Sequence, residues 1–173
     1  MLMHRLVAAV LAASLPAMGC SAVMPPSYAQ SPMAPVGLET KRLPDIKRRT
    51  LDGKTFDTAS LRGKVVVVKF FAKYCEPCKR TLPWFQRFAS EHPEVSVLGI
   101  AEDERESDAR EVVATYGLSF PVVHDTGNAL SGRFRVSEMP ITFVADGEGR
   151  IRWVGGPDQG EGQLEAATRA SSR

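Results

Sequence analysis

"GKVVVVKFFAKYCEPCKRTLP", residues 63–83, decides how this chain is read. Its first half, Gly63 to Ala72, is a nearly continuous run of β-branched and aromatic residues, the pattern of a strand buried on both faces of a parallel sheet. Directly after it come Cys75 and Cys78, two residues apart, opening a segment with Leu82, Phe85, Phe88 and Ala89 at helical spacing. A pair at this spacing holds a metal, staples the chain or exchanges electrons. As a staple it closes almost no loop and would stabilise little in the chain-entropy picture. A thiol at the point where a strand hands over to a helix feels the positive end of the helix dipole and unpaired amide hydrogens. Its pKa then falls from about 8.5 toward the 3.5–7.5 range of Cys-x-x-Cys motifs. Cys78, one turn on, is placed to attack a mixed disulfide formed at Cys75 and release the partner. Pro77 lacks an amide hydrogen and has φ preset for a first helical turn.

Working outward, "IKRRTLDGKTFDT" carries two short segments around Asp52-Gly53, which predicts an N-terminal hairpin. "VSVLGIA" (95–101) predicts a second buried strand, and "ERESDAREVVATYG" (104–117) an amphipathic helix ending at a glycine. "FPVVHD" predicts a short strand and "GNALSGRFRV" a short helix. "PITFVADGEGRIRWVGG" predicts two strands joined at Asp-Gly, and "EGQLEAATRAS" a closing helix. Strands alternating with helices give an α/β fold with a parallel central sheet, made mixed by the last hairpin. No internal repeat is present.

The bulk numbers exclude several classes. At 173 residues, 43% hydrophobic and 24% charged, the chain is long enough for one ordinary globular domain. A formal net charge of +2 gives no field favouring nucleic acid. The first twenty residues differ from the rest: Arg5 precedes an apolar run, Leu6 to Leu15, too short to span a bilayer but suited to a secretory signal. Ala17-Met18-Gly19 before Cys20 fits an ordinary signal peptidase. It also resembles a bacterial lipobox, in which Cys20 would be lipidated and become the new N-terminus, although Ala17 and the bulky Met18 depart from that pattern. The expected organisation is residues 1–19 as signal peptide, 20–40 as a flexible Pro/Ser/Ala-rich tether and 41–173 as the folded domain. Export leaves Cys75 and Cys78 as the only free pair, in a compartment where disulfides persist.

"VVVVKFFAKYCEPCKRTLP" together with "EMPITFVADGEGRI" resembles the thioredoxin-like superfamily, and within it the exported TlpA/ResA-type thiol-disulfide oxidoreductases. The resemblance covers roughly Leu43 to Gly156. It implies a three-layer fold, a central mixed sheet flanked by helices, with an N-terminal β-hairpin and a TlpA-type central insertion at Val95 to Asp125. It further implies that Cys75 attacks and Cys78 resolves, with Tyr74, Glu76 and Pro77 completing the active-site motif and Pro83 bending the helix. Met139-Pro140 matches the cis-proline loop that packs against the disulfide. Independently of the resemblance, X-Pro bonds adopt cis at tolerable cost, and Met139 would then offer its backbone groups to an extended partner chain. No organic cofactor and no metal are implied. The expected partners are a protein disulfide substrate and an upstream membrane or periplasmic dithiol donor, with the protein outside the cytoplasm, tethered through Cys20. The client, an apocytochrome, a copper-site protein or a general disulfide substrate, is left open, and the charges around the pair lean toward reductant.

Two departures bear on proton transfer. Thioredoxins keep a buried aspartate where this chain has Lys69, and TlpA/ResA-type members often carry a glutamate where it has Thr81. The proton acceptor for Cys78 is then left open, with Glu76, water or a neutral Lys69 able to serve, and Lys69 and Thr81 are the candidate proton or thiolate modulators. Lys69 itself has two readings: its long stem carries the ammonium to solvent, or it is partly buried and modulates the thiols. Rival functions on the same fold are a peroxiredoxin-type thiol peroxidase, for which Lys69 to Tyr74 lacks the Pro and Thr expected ahead of a single cysteine, and a copper-binding assembly factor with His124 as third ligand.

Overall fold

The structure, a computed structural model, describes Leu38 and residues 41–172. Cys20, the expected signal peptide (1–19) and most of the expected tether (20–40) lie outside the described residues. Within them the order is β1 (Lys47–Arg49), β2 (Thr55–Asp57), β3 (Val66–Phe71), α1 (Glu76–Glu91), β4 (Ser96–Ala101), α2 (Glu106–Tyr116), β5 (Val122–His124), α3 (Ala129–Phe134), β6 (Ile141–Ala145), β7 (Ile151–Gly155) and α4 (Glu161–Ser171).

Strand β3 is the middle of a five-stranded sheet in the order β5-β4-β3-β6-β7. β4 runs parallel to it with Val66 opposite Ser96 and Phe71 opposite Ala101; β6 runs antiparallel with Lys69 opposite Thr142. All six β3 residues are buried, which accounts for the unbroken apolar run. Because successive side chains point to opposite faces, Val67 and Phe71 join one cluster with Leu82, Phe85 and Phe88 of α1, Val112 of α2 and Leu164 of α4. Val66, Val68 and Phe70 join the other, with Leu130 and Phe134 of α3 and Ile46 and Phe56 of the N-terminal segment. The result is a mixed sheet with a layer on each face. Segment 95–125 forms β4, α2 and β5, two of the sheet's five strands.

The hairpin expected at Asp52-Gly53 forms as β1 and β2, antiparallel, with Gly53 at φ +86° in the turn, a conformation glycine adopts without steric cost. "KRR" is the exposed strand β1. Helix α2 begins at Glu106 rather than 104 because Arg105 is still extended, and Gly117 closes it in the left-handed region. His92 caps α1 through its backbone N–H, which donates to Phe88 O at 3.0 Å; its ring leans against that of Phe88, tilted by 35°, and pairs with Glu94.

Candidate active site

The cysteines sit where β3 gives way to α1. Cys75 is the N-cap residue, in extended conformation, and its Sγ accepts from the amide of Cys78 at 3.2 Å. Pro77 occupies the first turn, where a missing amide hydrogen costs nothing. The two sulfurs are joined in a disulfide with Cα atoms 5.2 Å apart. They are unequal in access: Cys75 is 6% exposed and Cys78 is sealed at 0%. Both belong to the core cluster against which Met139 packs, and the Met139–Pro140 peptide is cis. Since β6 starts at Ile141 and runs antiparallel to β3, this loop lies at the same end of the sheet as the disulfide.

The surrounding charges are largely spent on one another. Glu76 projects outward from the first helical residue and pairs with Lys79 at 2.7 Å, which holds its carboxyl below the usual range. Lys73 is held by Asp108 and Glu111 of α2 at 3.0 and 2.7 Å. The sequence places Glu76 beside both sulfurs; the fold turns it to solvent, so its leverage on the thiols is weak. Thr81 is buried and its hydroxyl donates to Cys78 O at 3.1 Å. It is a backbone partner of the active-site turn. Tyr74 stands 69% exposed at the rim beside a cleft of about 730 Å³ lined by Ala72, Leu82, Asp103, Val112 and Tyr116.

Lys69 does not reach solvent. It is 0% exposed, on the α1 face of β3. Its Nζ lies 4.9 Å from the Phe85 ring centroid and 5.5 Å from that of Trp84, and donates to Thr142 Oγ1 at 3.5 Å. The Gln159 amide, oriented with its oxygen toward the ammonium, accepts from Nζ at 3.2 Å and from Thr142 Oγ1 at 2.7 Å. Gly155 makes room for this arrangement, because a Cβ there would collide with the Trp153 ring and the Gln159 side chain. Burial pushes the Lys69 ammonium down to about 7. The stem length that suggested escape to water is instead used inside the core.

Three carboxylates near the site escaped the sequence reading. Asp103 accepts from the Lys73 amide at 2.8 Å and so ties down the turn that leads from β3 to Cys75. Glu102 precedes it, directly after β4, and burial raises its carboxyl above the ordinary range, as it does that of Asp103. Glu138 precedes Met139-Pro140. Glu102 Oε1, Asp103 Oδ2 and Glu138 Oε1 are buried without a hydrogen-bond partner. The available signal was position alone, since residues after a buried strand fall at the carboxyl edge of the sheet. His124 is two strands away from β3, its Nε2 donating to Asp103 O at 2.6 Å and its Nδ1 accepting from Thr126 Oγ1 at 3.2 Å.

A near-buried disulfide at a helix N-terminus, facing a cis-proline loop on this sheet, defines a thioredoxin-like fold with a Cys-x-x-Cys redox centre. Residues 40–154 match the AhpC/TSA family, and the chain belongs to it. Thiol-disulfide oxidoreductase ResA of Bacillus thuringiensis (strain Al Hakam) is 29% identical over 113 residues, 64% of this chain and 65% of the relative. The chain therefore spans just under two thirds of that relative's length. Among solved structures, a thiol:disulfide interchange protein of the thioredoxin family from Chlorobium tepidum TLS superposes with a TM-score of 0.68 at 26% identity, over 76% of this chain and 96% of that one. A secreted Mycobacterium tuberculosis disulfide oxidoreductase homologous to E. coli DsbE gives 0.64 at 27% identity, over 74% and 96%.

Proposed function

We propose that this protein is an extracytoplasmic thiol-disulfide oxidoreductase that passes electrons from a donor dithiol, through Cys75 and Cys78, to disulfides of client proteins. The inequality of the two sulfurs carries the reading: only Cys75 keeps an opening to the surface, while Cys78 is closed off beneath it. In the reduced protein, Cys75 as thiolate attacks a client disulfide and expels one client thiolate. Cys78, as thiolate, then attacks Cys75 Sγ; the bond to the client breaks, the client leaves as its second thiolate and the Cys75–Cys78 disulfide closes. The redox group is the cysteine pair alone, with no metal or organic cofactor. Met139 and Pro140 form one wall of the groove in which the client strand lies, and exposed Tyr74 forms the opposite rim.

The secretory character of the first residues, the Pro/Ser/Ala-rich stretch to residue 40 and the secreted relative support a location outside the cytoplasm, with Cys20 as lipid anchor. Among the described residues no helix is long and apolar enough to cross a membrane. Maturation of c-type cytochromes, whose haem-binding cysteines must be reduced, is the client pathway we favour on the likeness to ResA-named relatives. The test is trapping with Cys78→Ser in the native host: mixed disulfides to Cys75, identified by mass spectrometry and lost in Cys75→Ser, are expected. Absence of any trapped partner, with the variant folded and exported, would sink the assignment.

A further inference from the structure

Lys69 is a fully buried cation with no countercharge. Around its Nζ stand the Trp84 and Phe85 rings of α1, Thr142 of β6 and Gln159, while Gly99 is its neighbour on β4. Among the described residues no carboxylate lies within ion-pair distance of it. The titratable groups buried in the apolar cluster that holds Phe85 are the two cysteines, Cys75 at the N-cap of α1 and the fully buried Cys78 in its first turn. While the disulfide is closed, that cluster contains no anion. Opening the disulfide creates one.

We propose that Lys69 is the redox-linked countercharge of this site, its ammonium stabilising the Cys78 thiolate whenever the disulfide is open. The proposal rests on the disulfide-exchange reading and adds to it where the proton resides. On reduction, two electrons from the donor dithiol break the sulfur–sulfur bond, and the proton that Cys78 would otherwise bind is held by the Lys69 amine as ammonium. When Cys78 later attacks Cys75 and the disulfide re-forms, the anion disappears and, above the pH at which Lys69 titrates, it gives up that one proton to the departing client thiolate. Lys69 acts through Cys78 and is a positioning residue in the electrostatic sense. Aromatic faces, Thr142 and Gln159 make its charge tolerable without cancelling it, as a carboxylate would. Burial, which lowers its affinity for protons, keeps it able to titrate near neutrality.

The experiment equilibrates the full-length exported protein and its Lys69→Met and Lys69→Gln variants with dithiothreitol redox buffers from pH 5.5 to 9, counting free thiols by alkylation. In the wild type the pH dependence of the potential is expected to bend near neutrality. Below the bend Lys69 already carries its proton and reduction takes up one fewer. In both variants the bend disappears and reduction at pH 7 becomes about tenfold less favourable, about 30 mV. Recovery of wild-type behaviour by glutamine, which restores hydrogen bonding without charge, would overturn the proposal. So would potentials of Lys69→Met within twofold of the wild type across the range. Should methionine disturb folding, seen as a lower melting temperature of the oxidised form, the glutamine variant alone carries the comparison. A wild-type protein whose cysteines never equilibrate with dithiothreitol would instead refute the exchange reading itself.

Discussion

Replacing Lys69 by methionine should stabilise the oxidised protein at neutral and acid pH and lose that advantage as the medium becomes alkaline. The side chains are similar in length, so the core stays filled while the buried charge is removed. A lysine that titrates at 10.5 in the unfolded chain and about 7 in the fold binds its proton less well once folded. Below pH 7 both states are charged and the fold bears the full cost of burying the ammonium. Between 7 and 10.5 the unfolded chain holds a proton the native protein has already given up, so wild-type stability rises with pH. Above 10.5 the cost has gone. At about 1.4 kcal/mol per pH unit, the fall from 10.5 to about 7 sets a ceiling of about 5 kcal/mol. Urea unfolding of wild type and Lys69→Met at steps from pH 6 to 10, followed by circular dichroism, gives the difference directly. Other titrating groups are common to both proteins and largely cancel. The expected difference favours methionine by several kcal/mol at pH 6 and shrinks steadily above 7. A difference independent of pH, or one that grows with alkalinity, would show that Lys69 reaches water and refute the reasoning.

Asp125 is buried and accepts from the amides of Leu130 and Ser131, both at 2.8 Å, and from Ser131 Oγ at 2.6 Å, anchoring the start of α3. Asp125→Ala should cost about 2–3 kcal/mol in urea unfolding; a loss under about 0.5 kcal/mol would remove the anchoring role. Gly155→Ala puts a methyl group into the Trp153 ring and Gln159, and a loss of about 1–3 kcal/mol with altered tryptophan fluorescence is expected. Thr81→Val removes a hydroxyl already spent on Cys78 O. It should cost about 1 kcal/mol and leave the rate of client disulfide reduction unchanged within twofold, so a large fall in rate at intact stability would give Thr81 a part in proton transfer.

What the sequence made legible follows from how local each signal is. The apolar run of β3, the cysteine pair after it and the amphipathic segment beyond are contiguous, so strand, turn and helix are recoverable from neighbours alone. Pro140 was legible for a similar reason, since only an X-Pro bond adopts cis readily. Glu76 misled because adjacency in sequence is not adjacency of side chains: as the first residue of α1 it points out and finds Lys79. Lys69 was ambiguous in principle. Period-two alternation put it on the α1 face with Val67 and Phe71, but a lysine stem reaches water from many such positions. What detains it is a lid of Trp84 and Phe85 from α1 and Gln159 from beyond β7, with Thr142 as its cross-strand partner. None of these is near it in the chain, and no window of sequence joins them. A charge in mid-strand, against every local preference of a buried strand, is the sort of inconsistency that marks strained or functional positions. Here it falls on the face of β3 that lies beneath the redox helix. An apolar residue would pack there at lower cost in the oxidised state, and the Cys78 thiolate proposed for the reduced state is what would give lysine its advantage.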